Sequence, residues 1–281
     1  MKKLTVLLMF AALAGTIMAQ DAPVLSDALK AKNAGNEAYN NKDYVSAISN
    51  YEIYLKSGEE GVEDDIYTLN LYEMSFYYAG NSFLREKNYE KAYEYFQKFQ
   101  ALGRADTPTD CRFIYNFANT AKQLDKDEEA LALYQRCIAI NCNKDASMYA
   151  IAQMYRQAGV MDSMTVYLER AFETIPQAEN KYYSRMLQMW QIQQLKEATD
   201  VMKNAQEWSQ KAAGTDVNTY LTNMGKAADY YKQAIPMYEE VLKYEGVDDK
   251  TIANVAKAKS SIDVCKQSIS SFESYKKTIK R

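Results

Sequence analysis

Three acidic pairs, Glu59-Glu60, Glu128-Glu129 and Glu239-Glu240, and four cysteines, Cys111, Cys137, Cys142 and Cys265, are the residues whose types could carry chemistry in this chain. Paired carboxylates suit general acid and base work when unlike surroundings push their two pKa values apart. Here each pair stands in a polar turn or on the solvated face of a predicted helix, so a surface role is the simpler reading. No histidine occurs, which removes histidine triads, histidine bases and the usual zinc sites in one step. Nor is there a CxxC, a GxSxG or a glycine-rich phosphate loop, and Cys137 and Cys142 have no second ligand pair beside them. The run Glu63-Asp64-Asp65 lacks the alternating oxygen ligands of a calcium loop and ends where a helix should begin, which suits a helix N-terminus better. The sequence therefore predicts no catalytic residue, no metal and no cofactor, and points to binding.

Residues that bind must be held by something, and the chain writes its holder more than once. GNEAYNNKDYVSAISNYEIYL, Gly35 to Leu55, returns as GNSFLREKNYEKAYEYFQKFQ, Gly80 to Gln100. Gly35, Tyr44, Ala47, Tyr51 and Leu55 stand at the same offsets as Gly80, Tyr89, Ala92, Phe96 and Gln100. A third copy runs Ala118, Asp127, Ala130, Tyr134, Ile138, and a degenerate fourth runs Ala152, Met161, Met164, Leu168, Phe172. Each copy carries two apolar stripes at helical spacing around a polar turn such as Asn40-Asn41-Lys42-Asp43 or Glu86-Lys87-Asn88, which is a helical hairpin. Small residues on both stripes, Gly35 with Ala47 and Gly80 with Ala92, allow close helix approach, and Tyr51 and Phe96 are expected to fill the space against the next hairpin. One hairpin cannot cover its own apolar face, so neighbours must stack.

Over about Ala28 to Gln177 this pattern resembles the tetratricopeptide repeat family, most closely in the first two copies. The resemblance implies an all-α fold, a right-handed α-α superhelix of about four hairpins over 20–177. Only the last interval between copies matches the family period of about 34 residues. The extra text, GEEGVEDD from Gly58 to Asp65 and ALGRADTPTD from Ala101 to Asp110, reads as longer loops or extended helices. Residues 178–281 read as a divergent helical region, with breaks at Gly214-Thr215-Asp216 and Gly246 to Asp249 and a last helix from Ile252 to about Ile279. Pro236 predicts a helix start near Gln233 or a kink.

In tetratricopeptide proteins the first helix of each hairpin lines a concave groove that holds peptides, and the resemblance places particular residues there. Asn36, Asn81, Asn119 and Gln153 follow the four origins, Lys32, Tyr77, Tyr115 and Tyr149 precede them, and Arg156 lies one turn beyond the last. Steps of three and four put such residues on one helix face. Amides offer a donor and an acceptor to an extended backbone, and tyrosines add contact area at low entropy cost. The competing reading makes the amides inter-repeat hydrogen-bonding groups and the tyrosines general packing residues, which 24 tyrosines allow. Lys32 and Asn36 fit the first half of the family's carboxylate clamp, but Tyr78 and Asn116 stand where the clamp wants an amide and a basic residue. Cys111 and Cys142 lie at the adjacent open ends of one antiparallel hairpin, where a disulfide is one outcome and two thiols the other. Cys137 and Cys265 fall on apolar stripes as small hydrophobes.

Residues 1–19, with Lys2 and Lys3 before an apolar run from Leu4 to Leu13, have the layout of a cleaved secretory signal peptide without a lipid-anchor cysteine. The expectation is a periplasmic or secreted chain with no stable membrane insertion after cleavage. A formal charge of −3, with no basic block, argues against nucleic acid. Together these features predict a non-enzymatic exported scaffold or adaptor for a protein or peptide partner. A soluble glycan- or peptidoglycan-binding protein and a regulatory subunit of an envelope enzyme are the alternatives.

Overall fold

The computed structural model of the chain describes residues 25–102 and 111–279. The signal-peptide segment and most of the Ala101 to Asp110 insertion lie outside these residues. The described residues form eleven α-helices and no strand, the all-α class that the repeated stripes imply. By their contacts they divide into two compact units, Met1–Ala79 and Gly80–Arg281.

The first unit holds α1 (Asp27–Asn40), α2 (Tyr44–Leu55) and most of α3 (Ile66–Arg85). Helices α1 and α2 pack against each other. Their starts are set by side-chain caps. Ser26 Oγ accepts from the Leu29 amide at 3.1 Å and Asp43 Oδ1 from the Ser46 amide at 3.1 Å, each cap worth about 1 kcal/mol. Asp65, the last residue of the acidic run, accepts from the Thr68 amide at 3.1 Å and so caps α3.

The second unit continues with α4 (Tyr89–Ala101), α5 (Cys111–Gln123), α6 (Asp127–Ala139), α7 (Lys144–Gln157) and α8 (Met161–Thr174). Packing runs in succession, α5 on α6 and α7 on α8 as hairpins, with α4 on α5 and α6 on α7 joining neighbours. Phe96, Phe99, Phe113 and Phe117 are buried, with ring centroids 4.8 Å apart for Phe99 and Phe113 and 5.9 Å for Phe96 and Phe117. The turn inside each hairpin is closed by one left-handed residue at a constant place after the origin: Lys42 (φ 63°), Lys87 (φ 60°), Asp125 (φ 55°) and Gly159 (φ 75°). Only the fourth copy uses the residue that adopts this conformation without cost.

Beyond α8 the pairing changes. The helices α9 (Tyr183–Ala212), α10 (Val217–Val241) and α11 (Asp249–Ile279) are 30, 25 and 31 residues long, and each packs on the other two. Small residues, Ala198, Ala205, Ala227, Ala234 and Ala258, bring these helices close around Tyr231, Tyr238 and Ile262. The expected helix start near Gln233 is not found, because α10 runs through Pro236. Pro236 and Lys232, whose carbonyl loses its partner to the proline, are both exposed, so water can satisfy that carbonyl. The last helix starts at Asp249, not Ile252, because Asp248 Oδ1 accepts from the Thr251 amide at 2.8 Å as its cap. Trp190, fully buried, seats α9 on α8. Its indole donates to Glu169 Oε1 at 3.2 Å, and the rings of Phe172 and Tyr244 pack on it.

Candidate functional site

The face predicted from the resemblance is built differently in each unit. In the first, the Tyr51 ring lies over Gly35 of its own hairpin, and a Cβ added there would meet ring atoms at 2.6 and 2.7 Å. The missing side chain of Gly35 makes room for that ring. Its hydroxyl donates to Asn36 Oδ1 at 3.0 Å, and burial first, then Tyr39 and Tyr67, pushes its pKa up to about 12. Lys32 is held elsewhere. Its ammonium lies 2.7 Å from Asp65 Oδ2, which also accepts from Tyr54 and Thr68. Partial burial works to raise the Asp65 carboxyl, yet the hydrogen bonds from Lys32, Thr68 and Tyr54 outweigh it and hold it well below the usual range. Lys32 is therefore a strut between α1 and the start of α3, and a clamp built on it would have to break that pair. Tyr77 is only 8% exposed. Its neighbour Tyr78 has the half-buried ring, stacked on Tyr44 at 5.1 Å with Tyr39 edge-on at 6.1 Å.

In the second unit the same scheme recurs with one substitution. The Phe96 ring covers Gly80, where a Cβ would meet it at 2.6 Å, and Phe96 also touches Phe113 and Phe117 of the next hairpin. Phenylalanine has no hydroxyl, so Asn81 Oδ1 accepts from Asn116 Nδ2 at 2.7 Å. In the third copy tyrosine returns, and Tyr134 donates to Asn119 Oδ1 at 2.7 Å across the same fifteen-residue separation as Tyr51 and Asn36. The amide row thus has its carbonyl oxygens engaged by packing in three copies. The sequence carried the signal, since asparagine after the origin accompanies tyrosine in the second helix in copies one and three.

What the second unit leaves half-buried is a cluster of Tyr115, Asn119 and Lys122 on α5, Tyr149 and Gln153 on α7, and Tyr182 just before α9. Arg156 is exposed. Tyr149 stacks on Tyr182 at 5.0 Å with planes 24° apart, and Tyr115 meets Tyr134 edge-on at 6.0 Å. Burial first, then Tyr182, raises the Tyr115 pKa, while Asn119 works against the rise. Burial pushes the Lys122 ammonium down, with Asp127 opposing it. Lys122 stands four residues after the third origin, on the helix face that spacing gives it with Tyr115 and Asn119, whereas Tyr182 comes from outside the repeats altogether. The cluster is polar, aromatic and supported from behind, which suits orientation of a ligand rather than bond making.

Cys111 and Cys142 are joined across the open end of the α5–α6 hairpin, with Cα atoms 5.4 Å apart. Cys137 and Cys265 are free and buried, and burial, partly offset by Ser147, pushes the Cys137 thiol up to about 11. A thiol so raised is a poor nucleophile at neutral pH. Among the described residues no group of acidic or cysteine side chains could hold a metal ion. Two of the three acidic pairs take structural parts: Glu59 accepts from Ser26 at 2.9 Å and Glu129 from Tyr93 at 2.5 Å. No helix among the described residues is long and apolar enough to cross a membrane.

Hairpins that repeat an aromatic over a small origin and a left-handed turn residue at fixed offsets decide the architecture. The fold is tetratricopeptide-like. No family model and no curated protein matches the chain. Among solved structures it is similar to a TPR repeats protein from Bacteroides fragilis, with 19% identity, 86% of this chain and 99% of that chain covered, and a TM-score of 0.47. It is also similar to MamA, at 18% identity with 75% and 97% covered and a TM-score of 0.37. A third likeness is the TPR domain of P58(IPK), at 17% identity, 84% and 66% covered and a TM-score of 0.27. It is this chain's own hairpins that make the fold tetratricopeptide-like.

Proposed function

We propose that this protein is an exported, non-enzymatic adaptor that holds a protein or peptide partner on the half-buried face of Tyr115, Asn119, Tyr149, Gln153 and Tyr182. The observation that carries this reading is that the face is fixed before any ligand arrives. Tyr134 holds Asn119 by a 2.7 Å hydrogen bond and Tyr149 is stacked on Tyr182 at 5.0 Å, so little side-chain freedom remains to be lost on binding. Polar atoms that are not part of the internal network and aromatic surface together suit a backbone-reading, sequence-tolerant contact. The tetratricopeptide-like architecture suits a scaffold, and the layout of residues 1–19 suits export.

The test uses the mature chain and its Gln153→Ala and Tyr149→Ala/Tyr182→Ala variants, each matched for helicity and melting. A partner isolated from envelope extract with the wild-type chain is purified and its dissociation constant is measured against all three. At least tenfold weaker binding by the tyrosine variant supports the reading. Equal binding by all three places the contact on another surface, and retention of a glycan with no protein turns the reading toward carbohydrate.

A further inference from the structure

The α9–α11 bundle carries a cleft of about 340 Å³ that the face described above does not use. Ile192 and Leu195 on α9 provide its apolar floor, with Lys196, Thr199, Asp200 and Lys203 following on the same helix face and Asn254 and Lys257 opposite on α11. Lys203 lies 3.3 Å from Asp200, so those two charges cancel. Lys196 and Lys257 form no ion pair among the described residues. The cleft therefore gathers two uncompensated positive charges in a chain whose formal charge is −3.

Its polar walls are supported from the core. Asn254 Nδ2 donates to Gln191 Oε1 at 3.1 Å, and Thr199 Oγ1 lies 3.2 Å from the Tyr238 hydroxyl. Gln191 is fully buried and Tyr238 is 1% exposed. The Gln191 Nε2 has no hydrogen-bond partner, a burial that costs about 1–3 kcal/mol. What that glutamine does is fix the Asn254 amide at the cleft wall. Two free ammonium groups, an oriented amide, a hydroxyl and an apolar floor make up one set of complementary contacts.

We propose that this cleft is a binding site for a small dianion carrying an apolar group, a phosphate monoester in chemical class. Lys196 and Lys257 neutralise the phosphate, the second Nδ2 hydrogen of Asn254 donates to it, and Ile192 and Leu195 take the apolar part. The inference stands apart from partner binding on the tyrosine face, and the two are tested separately.

Phenyl phosphate, inorganic phosphate and benzoate are each titrated into the full chain by isothermal titration calorimetry at low salt. Expected is saturable one-to-one binding of phenyl phosphate, at least tenfold tighter than either single-feature probe. Lys196→Ala/Lys257→Ala should weaken it at least tenfold and Asn254→Ala about threefold or more, whereas Asp200→Ala/Lys203→Ala, which removes a pair whose charges already cancel, should change it less than twofold. All five positions line an open cleft, and helicity confirms each fold. Binding of benzoate as tight as phenyl phosphate overturns the dianion assignment. No saturation, or equal binding by the double lysine variant, overturns the site. Neither result bears on capture through Tyr149 and Tyr182.

Discussion

Two glycines inside helices of the same unit should respond to the same substitution with opposite sign. Gly80 and Gly225 both occupy helical positions, in α3 and α10, and replacing glycine by alanine in a helix interior ordinarily stabilises by about 1 kcal/mol. At Gly225 a Cβ meets nothing within 4 Å, so Gly225→Ala should realise that gain. At Gly80 the new Cβ would lie 2.6 Å from two atoms of the Phe96 ring, well inside an ordinary carbon contact. Phe96 is fully buried against Phe113 and Phe117 and has no open direction in which to move. Overpacking of that kind costs about 1–3 kcal/mol against the propensity gain of about 1 kcal/mol, so Gly80→Ala should destabilise by up to about 2 kcal/mol. Urea unfolding of the two variants, analysed by linear extrapolation, measures both. Combining Gly80→Ala with Phe96→Leu should cost less than the two changes summed, because the smaller side chain vacates the clash. If Gly80→Ala stabilises as much as Gly225→Ala, the aromatic does not occupy the place of the missing side chain and the hairpin packing described here is wrong.

Tyr134→Phe should cost about 1 kcal/mol by stranding the Asn119 carbonyl, and adding Asn119→Ala should cost less than it does alone, as a double-mutant cycle will show. Lys87→Gly should stabilise by about 0.5 kcal/mol, since relief of the left-handed strain exceeds the entropy glycine adds to the unfolded chain; a loss of stability in urea would contradict it. The Asp65 carboxyl is held below its ordinary value of 3.8, so its contribution is present above that pH and disappears as pH falls below it. Asp65→Asn should therefore be less stable than wild type at neutral pH, with thermal melts converging as acid is added. Oxidised protein unfolded in denaturant should yield two titratable thiols, Cys137 and Cys265. Reduction of the Cys111–Cys142 bridge, whose partners are 31 residues apart, should lower stability by about 3 kcal/mol.

The hairpins were readable because a buried face must repeat at helical spacing, and the polar turns ending in Asp43 and Asn88 separate the two stripes of each. Periodicity says which face is buried without saying against what. That is why the seat of the Tyr51 ring over Gly35 of its own hairpin had to come from the structure. Lys32 was read as a free cation because its partner, Asp65, lies 33 residues away beyond an insertion whose path no local pattern describes. The amide row was visible as a row, yet its internal use required noticing that Asn36 and Asn119 travel with Tyr51 and Tyr134 while Asn81 travels with Phe96. Tyr182 joins the face from outside the repeats, where no offset could find it. In the last third, Pro236 argued for a break that the solvent exposure of Lys232 and Pro236 makes unnecessary.

The most direct test of the adaptor reading is site-specific photocrosslinking in cells producing the full chain. Benzoylphenylalanine replaces either Gln153, half-buried on α7, or Arg170, exposed on α8, and the adducts are identified by mass spectrometry. The account predicts one recurrent protein adduct from position 153 that is lost in the Tyr149→Ala/Tyr182→Ala background, and none from position 170. The same adduct from position 170 alone, or from both positions regardless of the tyrosines, would contradict it.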